Sequence, residues 1–200
     1  MLTQESSILP EYVAARGYWT ATSRPQLDGL GLKDYQRRVP ALVVPTYSPD
    51  GISTDLQLRP DNPRKSRAKV IKYENPAGSW CILDVNPLML SKVRDPSTPL
   101  WVTEGVKKGD ALASRGECAI SVVGVWNWQR KGELLPCWQH VALDGRDVFL
   151  VFDSDVMVKP EVQLALERLA DGLKERGAEI NVVYLPEATS STCRRAGGGA

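Results

Sequence analysis

The sequence has 200 residues, of which 42% are hydrophobic and 24% are charged. At roughly 150 residues per domain, these values fit one large or two small globular domains and argue against a disordered chain. The formal net charge is +1, from 25 basic and 24 acidic residues, so only the local distribution of charge can indicate an anionic partner.

Two classes of protein are disfavoured by simple counts. No stretch approaches about 18 consecutive apolar residues, and the N-terminus lacks a basic head followed by an apolar run. We therefore expect a cytoplasmic protein without a membrane segment. The cysteines, Cys81, Cys118, Cys137 and Cys193, lie far apart, and His140 is the single histidine. These residues cannot form a clustered zinc module, so structural roles are predicted for the cysteines.

Residues 1–97 are rich in proline, basic residues and short mixed segments, which predicts a small α+β subdomain. Pro10 suits the first position of a short helix that extends to Arg16, and Gly17 suits the residue just past its end. Two strand candidates and the turn between them follow at residues 41–45, 54–59 and 48–51. A connector rich in proline and small polar residues is predicted at residues 91–99.

Residues 98–187 alternate between apolar, strand-like runs and helix-like stretches, and residues 188–200 are expected to be a disordered tail. The predicted strands lie at residues 100–103, 118–123, 148–152 and 180–185, and the predicted helices at 107–114 and 160–176. These strands are continuously apolar, as strands are when helices cover both faces of the sheet. The prediction is an α/β domain whose parallel sheet is flanked by helices, preceded by the small α+β subdomain.

Acidic residues follow two of the predicted strands. Glu104 follows the first strand, and Asp153 and Asp155 follow the third. The carboxyl ends of parallel strands form the functional crevice of such sheets, so these carboxylates converge if the two strands are neighbours. Carboxylates without His or Cys favour Mg²⁺ or Mn²⁺, the ions used in phosphoryl and nucleotidyl transfer. The alternative is that the two aspartates merely cap the next helix.

A basic segment precedes this predicted α/β domain. It contains one acidic residue, Asp61, and the basic residues Arg59, Arg64, Lys65, Arg67, Lys69 and Lys72. Such a run is either a solvated loop or a groove that tracks phosphates, with salt-dependent and sequence-independent binding to nucleic acid. Because the rest of the chain is nearly neutral, the enrichment favours a groove.

Other chemistry receives little support from the sequence. Trp126 and Trp128 follow the second predicted strand, where they either stack on bases or, as we favour, close a hydrophobic layer. His140 has no acidic or nucleophilic partner nearby in sequence. The chain contains no Walker A, G-x-S-x-G or G-x-G-x-x-G motif, which argues against a P-loop ATPase, a serine hydrolase and a dinucleotide-binding enzyme.

The runs WVTEGVKKGDAL (101–112) and LVFDSDV (150–156) resemble the TOPRIM domain shared by bacterial-type primases, topoisomerases, ribonuclease-maturation nucleases and recombination mediators. Together with GVWNW (124–128), they are most similar to phage and plasmid primase-like replication proteins, a group often catalogued only as a domain of unknown function. LRPDNPR (58–64) and IKYENPAG (71–78) fit this group too. The second run is similar to the Lys-Tyr-x-Asn-x-Pro segment that precedes TOPRIM in bacterial primases.

The resemblance implies a primase-like nucleotidyltransferase core that acts on single-stranded DNA with Mg²⁺ and nucleotide triphosphates. It also implies phage or plasmid replication as the setting and a replicative helicase as a partner. Glu104 would serve as general acid/base or metal ligand, and Asp153 and Asp155 as metal ligands. The residues expected to contact the template or the triphosphate are Arg59, Arg64, Lys69, Lys72, Tyr73, Lys107 and Lys108.

Two features depart from the family pattern. Cellular primases have a second acidic residue one helical turn after the Glu, but this position is Lys108 here, and Asp110 is the nearest candidate. The relatives also continue past the fourth strand into a Gly-Leu-Asp-Asp-like segment, where this sequence has TSSTCRRAGGGA (189–200). Two alternatives therefore stay open: a metal-dependent TOPRIM nuclease and a non-catalytic DNA-binding accessory module.

Overall fold

The computed structural model describes residues 6–67, 69–80, 82–152 and 159–184. Its N-terminal part contains a short helix, a three-stranded antiparallel sheet and a small hairpin. In chain order these are α1 (Pro10–Arg16), β1 (Trp19–Ala21), β2 (Ala41–Tyr47), β3 (Ser53–Pro60), β4 (Arg64–Ser66) and β5 (Lys69–Ile71). Strands β1, β2 and β3 are neighbours in that order, and β4 pairs with β5. The predicted helix and hairpin of this part are therefore present.

The rest of the chain forms a five-stranded sheet with flanking helices. Its elements are β6 (Leu83–Val85), α2 (Leu90–Val93), β7 (Leu100–Glu104), α3 (Val106–Ala113), β8 (Cys118–Val122), β9 (Gln129–Arg130), β10 (Glu133–Leu134), β11 (Asp147–Phe152), α4 (Pro160–Lys174) and β12 (Glu179–Tyr184). The order across the sheet is β12–β11–β7–β8–β6, and β6 alone of these strands runs antiparallel to its neighbour. The predicted α/β class with a mostly parallel sheet is confirmed.

The main core lies between this sheet and its helices. Every side chain of β8 is buried, as in strands covered on both faces. Helix α4 buries Leu166, Leu169 and Leu173, whose spacing of three and four residues places them on one face. Helix α3 lies so close to β8 that a Cβ at Gly109 would be 2.1 Å from the Ser121 hydroxyl oxygen. Within the described ranges, no helix is long and apolar enough to cross a membrane.

The structure differs from the sequence prediction at β6 and at the connector. Strand β6 supplies an edge of the central sheet from a position before residue 97, and the predicted connector 91–99 begins inside helix α2. The fully buried Arg146 holds this segment in place. Its guanidinium donates hydrogen bonds to the carbonyls of Thr98, Val93 and Lys92, at 2.7, 2.7 and 2.8 Å. The division into residues 1–97 and 98–187 stays a prediction.

Candidate active site

A cavity of about 670 Å³ opens at the carboxyl ends of β7 and β8, facing β3 and the segment that follows β5. One wall contains Glu104, Gly105, Lys107 and Lys108. The opposite wall contains Gln57, Arg59, Lys72, Tyr73 and Asn75. The cavity therefore brings the predicted acidic residue of the α/β domain together with part of the basic segment.

The Glu104 wall is built by a tight turn from strand to helix. Strand β7 ends at the half-buried Glu104, and Gly105 has a φ of +91°, a conformation that favours glycine. The Gly105 amide donates to the carbonyl of Val122 at 2.9 Å, which ties the turn to the end of β8. Helix α3 begins at the next residue, so its first turn lies in the cavity wall. The positive end of the helix dipole favours anions at such a position.

The opposite wall is assembled by pairing between distant segments. The backbones of Leu58 and Glu74 exchange two hydrogen bonds of 2.8 Å each, which places residues 72–75 beside β3. Side chains alternate along β3, so Leu58 enters the small N-terminal core while Gln57 and Arg59 face the cavity.

The charge balance of the cavity suits a phosphate-bearing ligand. The described lining residues include four cations, Arg59 and Lys72 on one wall and Lys107 and Lys108 on the other, and a single carboxylate, that of Glu104. A concentration of one sign of charge in a cleft attracts ligands of the opposite sign.

Tyr73 adds a phenol to this cationic wall. The Arg59 guanidinium carbon lies 5.9 Å from the centroid of the Tyr73 ring. Burial raises the pKa of Tyr73, although Arg59 acts in the opposite direction. The phenol therefore stays protonated at neutral pH and remains a hydrogen-bond donor.

Two predicted contact residues, Arg64 and Lys69, lie outside this cavity. They belong to the hairpin β4–β5, whose turn contains Arg67 with a φ of +53°. The Arg64 Nε lies 2.5 Å from Glu74 Oε1, and its guanidinium carbon lies 5.0 Å from the ring centroid of Tyr35. A contact of Arg64 or Lys69 with nucleic acid stays a prediction.

The other two predicted metal ligands, Asp153 and Asp155, fall outside the described residues. The strand that precedes them, β11, is the parallel neighbour of β7, with Val151 paired to Thr103. The two strands are therefore neighbours, as the predicted convergence of the three carboxylates requires. Of the three predicted ligands, the structure describes Glu104, and no group of three or more His, Cys, Asp or Glu within the described ranges could hold a metal ion.

Asp110, the candidate for a second acid, has a structural position. It is fully buried and accepts hydrogen bonds from Arg16 Nε at 2.6 Å and Arg16 Nη2 at 2.7 Å. The Tyr18 hydroxyl and the Asn86 amide also donate to it, at 2.7 and 2.9 Å. Asp110 is not among the residues that line the cavity. Its bonds with Arg16 and Tyr18 join α3 to the N-terminal part of the chain.

The tryptophans that follow β8 differ from each other in environment. Trp128 is buried in the main core, which agrees with the hydrophobic layer favoured by the sequence. Trp126 is half-buried, and the Arg168 guanidinium carbon lies 5.9 Å from its ring centroid.

Sequence reasoning missed Gln57 and Asn75 as lining residues. The position of Asn75 directly after Lys72, Tyr73 and Glu74 was the available signal.

Comparison with known proteins identifies one family and one curated relative. Residues 90–191 match the family described as Domain of unknown function (DUF3854). An uncharacterized protein of Picosynechococcus sp. (strain ATCC 27264 / PCC 7002 / PR-6) is 29% identical over 62% of this chain. The match covers 16% of that relative, so the chain spans about a sixth of its length.

Solved structures of DNA primases share the fold. The Aquifex aeolicus primase, with its zinc-binding and RNA polymerase domains, gives a TM-score of 0.66 at 18% identity over 94% of this chain and 49% of its own. A primase domain of Pseudomonas aeruginosa gives 0.62 at 17% identity, covering 92% and 62%. A DnaG primase catalytic domain bound to single-stranded DNA gives 0.61 at 15% identity, covering 94% and 63%. The chain therefore has a primase-like fold.

Proposed function

The chain belongs to the DUF3854 family, and we propose that it is a primase-like nucleotidyltransferase core acting on single-stranded DNA with nucleotide triphosphates. The observation that carries the proposal is the cavity in which Glu104, at the end of a parallel strand, faces a cationic wall. The primase-like fold and the TOPRIM-like motifs support the same reading. Replication of a phage or plasmid and cooperation with a replicative helicase belong to the proposal through those motifs.

A divalent metal ion, Mg²⁺ or Mn²⁺, is part of the proposed activity. Glu104 supplies a carboxylate at the cavity, and Asp153 and Asp155 follow the neighbouring strand in the sequence. These three residues would hold the ion, since hard oxygen donors without sulfur or imidazole fit Mg²⁺ better than Zn²⁺. When bound, the ion supplies neutralisation of the triphosphate charge.

The described residues divide the remaining work between binding and proton transfer. Lys72, Lys107 and Lys108 would bind phosphate oxygens, and the first turn of α3 would add backbone amides to the same end of the cavity. Tyr73, which remains protonated at neutral pH, would donate a hydrogen bond that orients the bound nucleotide. The Glu104 carboxylate would accept the proton of the attacking 3′-hydroxyl.

Synthesis on a single-stranded template tests the proposal directly. With nucleotide triphosphates and Mg²⁺ or Mn²⁺, wild-type protein is expected to produce short oligonucleotides. The variant Asp153→Asn/Asp155→Asn is expected to lose both this synthesis and metal binding in calorimetry. Asp144→Asn/Asp147→Asn is the matched control, because both residues are exposed and lie at the amino end of β11.

The products of that assay separate the proposed function from its alternatives. Nicked template without newly joined nucleotides would indicate that the protein is a metal-dependent nuclease and not a polymerase. DNA binding that is the same with and without the metal ion, and in the wild type and the Asp153→Asn/Asp155→Asn variant, would indicate a non-catalytic accessory binding module. Absence of synthesis by the wild type under every metal condition would contradict the proposal.

Salt dependence provides a test of the cationic wall. Replacing Lys72 by alanine is expected to weaken binding of single-stranded DNA about equally for all sequences, because a phosphate contact carries no base information. The slope of log K against log salt concentration should fall in magnitude by about 0.7, the value for one contact on a single strand. Fluorescence anisotropy of a labelled oligonucleotide over a salt series measures both quantities.

Lys65→Ala is the matched control for this test. Lys65 belongs to the same basic run but is exposed on β4 and does not line the cavity. Its replacement is expected to change the affinity and the slope less than that of Lys72. Equal effects of the two variants would mean that the run binds as a solvated loop.

A further inference from the structure

A second, smaller cavity of about 80 Å³ adjoins the first. Gln57, Asn75 and Val123 line both cavities, so the two form one continuous surface. Trp80, with 73% of its surface exposed, lies at this smaller cavity. We infer that Trp80 and the smaller cavity bind a nucleobase whose phosphates occupy the larger cavity, an inference that rests on the proposed function.

Trp80 has the properties of a stacking platform. A large aromatic ring this exposed gains little from packing within its own chain, and its π face can accept any base. The Arg130 guanidinium carbon lies 5.5 Å from the ring centroid, so the ring is already held by a cation. That contact leaves most of the ring surface accessible for a base.

Thr46 supplies a hydrogen-bonding group at the same cavity. Its side chain is 3% exposed, and its hydroxyl oxygen has no hydrogen-bond partner in the part of the chain that the structure describes. Buried polar groups in native structures are almost always satisfied, so an unpartnered hydroxyl in a cavity wall points to a ligand there. Because a hydroxyl both donates and accepts, it can contact the polar edge of a base.

The amides at the junction of the two cavities are already oriented. The Gln57 side-chain nitrogen donates to Asn75 Oδ1 at 3.2 Å. This contact fixes two polar side chains between the cationic wall and Thr46. The smaller cavity admits the edge of a base rather than a whole nucleotide, which leaves the charged phosphates in the larger, cationic cavity.

The base belongs either to the DNA strand or to a nucleotide triphosphate, and binding measurements distinguish these sources. The probes are a single-stranded oligonucleotide, an abasic oligonucleotide of the same length, ATP and inorganic triphosphate. Trp80→Ala is expected to weaken binding of the base-bearing probe about tenfold, a usual value for loss of one stacked base, and to leave its base-free counterpart unchanged. If Trp80→Ala weakens binding of the oligonucleotide, the subsite binds a base of the DNA strand. If it weakens binding of ATP, the subsite binds the base of the incoming nucleotide.

Two further variants make this test specific. Tyr35→Ala is the matched control, because Tyr35 is 55% exposed and has a guanidinium over its ring but lines neither cavity. Its replacement should leave all four affinities unchanged. Thr46→Val removes the unpartnered hydroxyl with little change of side-chain shape. It is expected to weaken binding of the base-bearing probe and to leave its base-free counterpart and the thermal stability of the protein unchanged.

The outcomes separate this inference from the proposed function. If Trp80→Ala binds every probe like the wild type while Lys72→Ala weakens both oligonucleotides, the base subsite is wrong and the phosphate-binding cavity stands. If base binding depends on Trp80 but no primer is synthesised, the subsite stands and the proposed enzymatic function fails. If the wild type binds none of the four probes, both are wrong.

Discussion

Replacing Glu104 by glutamine is expected to lower the rate of primer synthesis roughly 10²- to 10⁴-fold, the usual contribution of a positioned general acid or base. Glutamine keeps the shape of the side chain, but it cannot accept the proton of the attacking hydroxyl and, being neutral, is a weaker ligand for Mg²⁺ than a carboxylate. Glu104 ends β7 in the cavity wall and is only half-buried, so the thermal midpoint of unfolding should stay close to that of the wild type. Single-turnover synthesis with saturating template and triphosphate measures the rate.

Glu117→Gln provides the control for this loss. Glu117 is also half-buried, but it precedes β8 at the amino end of the strand, on the opposite edge of the sheet. Its replacement should leave the rate of synthesis unchanged. A Glu104→Gln variant that synthesises primers as fast as the wild type would remove Glu104 from the proton-transfer step and leave it at most a binding role.

The central sheet could be predicted because its strands are continuously apolar and its helices have a clear three-to-four spacing. Strands β7, β8, β11 and β12 begin or end within two residues of the positions that the sequence predicts. The same pattern predicted that Glu104 lies at the carboxyl end of a parallel strand, and it is the last residue of β7. The adjacency of β7 and β11 needed the structure, because chain order does not determine strand order.

Other features depend on contacts that sequence patterns do not contain. Strand β6 has three residues, too few to show a period, and its antiparallel pairing with β8 is what forms it. The basic run predicts one groove, and the structure places Arg64 and Lys69 on the hairpin β4–β5, outside the cavity that Arg59 and Lys72 line. Basic residues that lie close together in the sequence therefore need not share one surface when a tight turn lies between them.

Asp110 illustrates the same limit for buried charge. Its acidic side chain lies one turn into the helix that follows Glu104, so its sequence position suggests an acid of the active site. Its partner Arg16 is 94 residues away in the chain, and a contact over that separation leaves no local signal. The ion pair also includes Asp84, whose oxygen lies 2.8 Å from Arg16 Nη1.

Arg16 therefore joins α1, β6 and α3, the elements that connect the N-terminal part to the wall of the cavity. It is 1% exposed, and it also donates to the carbonyl of Pro45 at 3.0 Å. Burial by itself would lower the pKa of Arg16, but Asp84 and Asp110 raise it above its ordinary value, so the side chain stays charged. Burial raises the pKa of Asp84, although Arg16 acts in the opposite direction.

Replacing Arg16 by methionine is expected to reduce the free energy of unfolding by roughly 3–5 kcal/mol, because the two aspartates would be left buried without a cation. Without Arg16 the pKa of Asp84 should rise further above its unfolded-state value. A carboxyl group of this kind favours the folded state below the unfolded pKa, and the benefit is lost as the pH rises through the folded pKa. The loss of unfolding free energy in the variant, relative to the wild type, should therefore be larger at neutral than at mildly acidic pH. Urea denaturation at both pH values would measure it.

Two comparisons decide whether the buried network is structural. Arg24→Met removes an exposed ion pair with Asp34 and should change the free energy of unfolding by less than about 1 kcal/mol. Asp110→Asn should destabilise the protein because asparagine leaves the Arg16 charge incompletely paired. If Asp110→Asn instead keeps wild-type stability and loses primer synthesis, Asp110 acts in the reaction. Its burial beside Arg16 would then be a resting arrangement that the bound substrate opens.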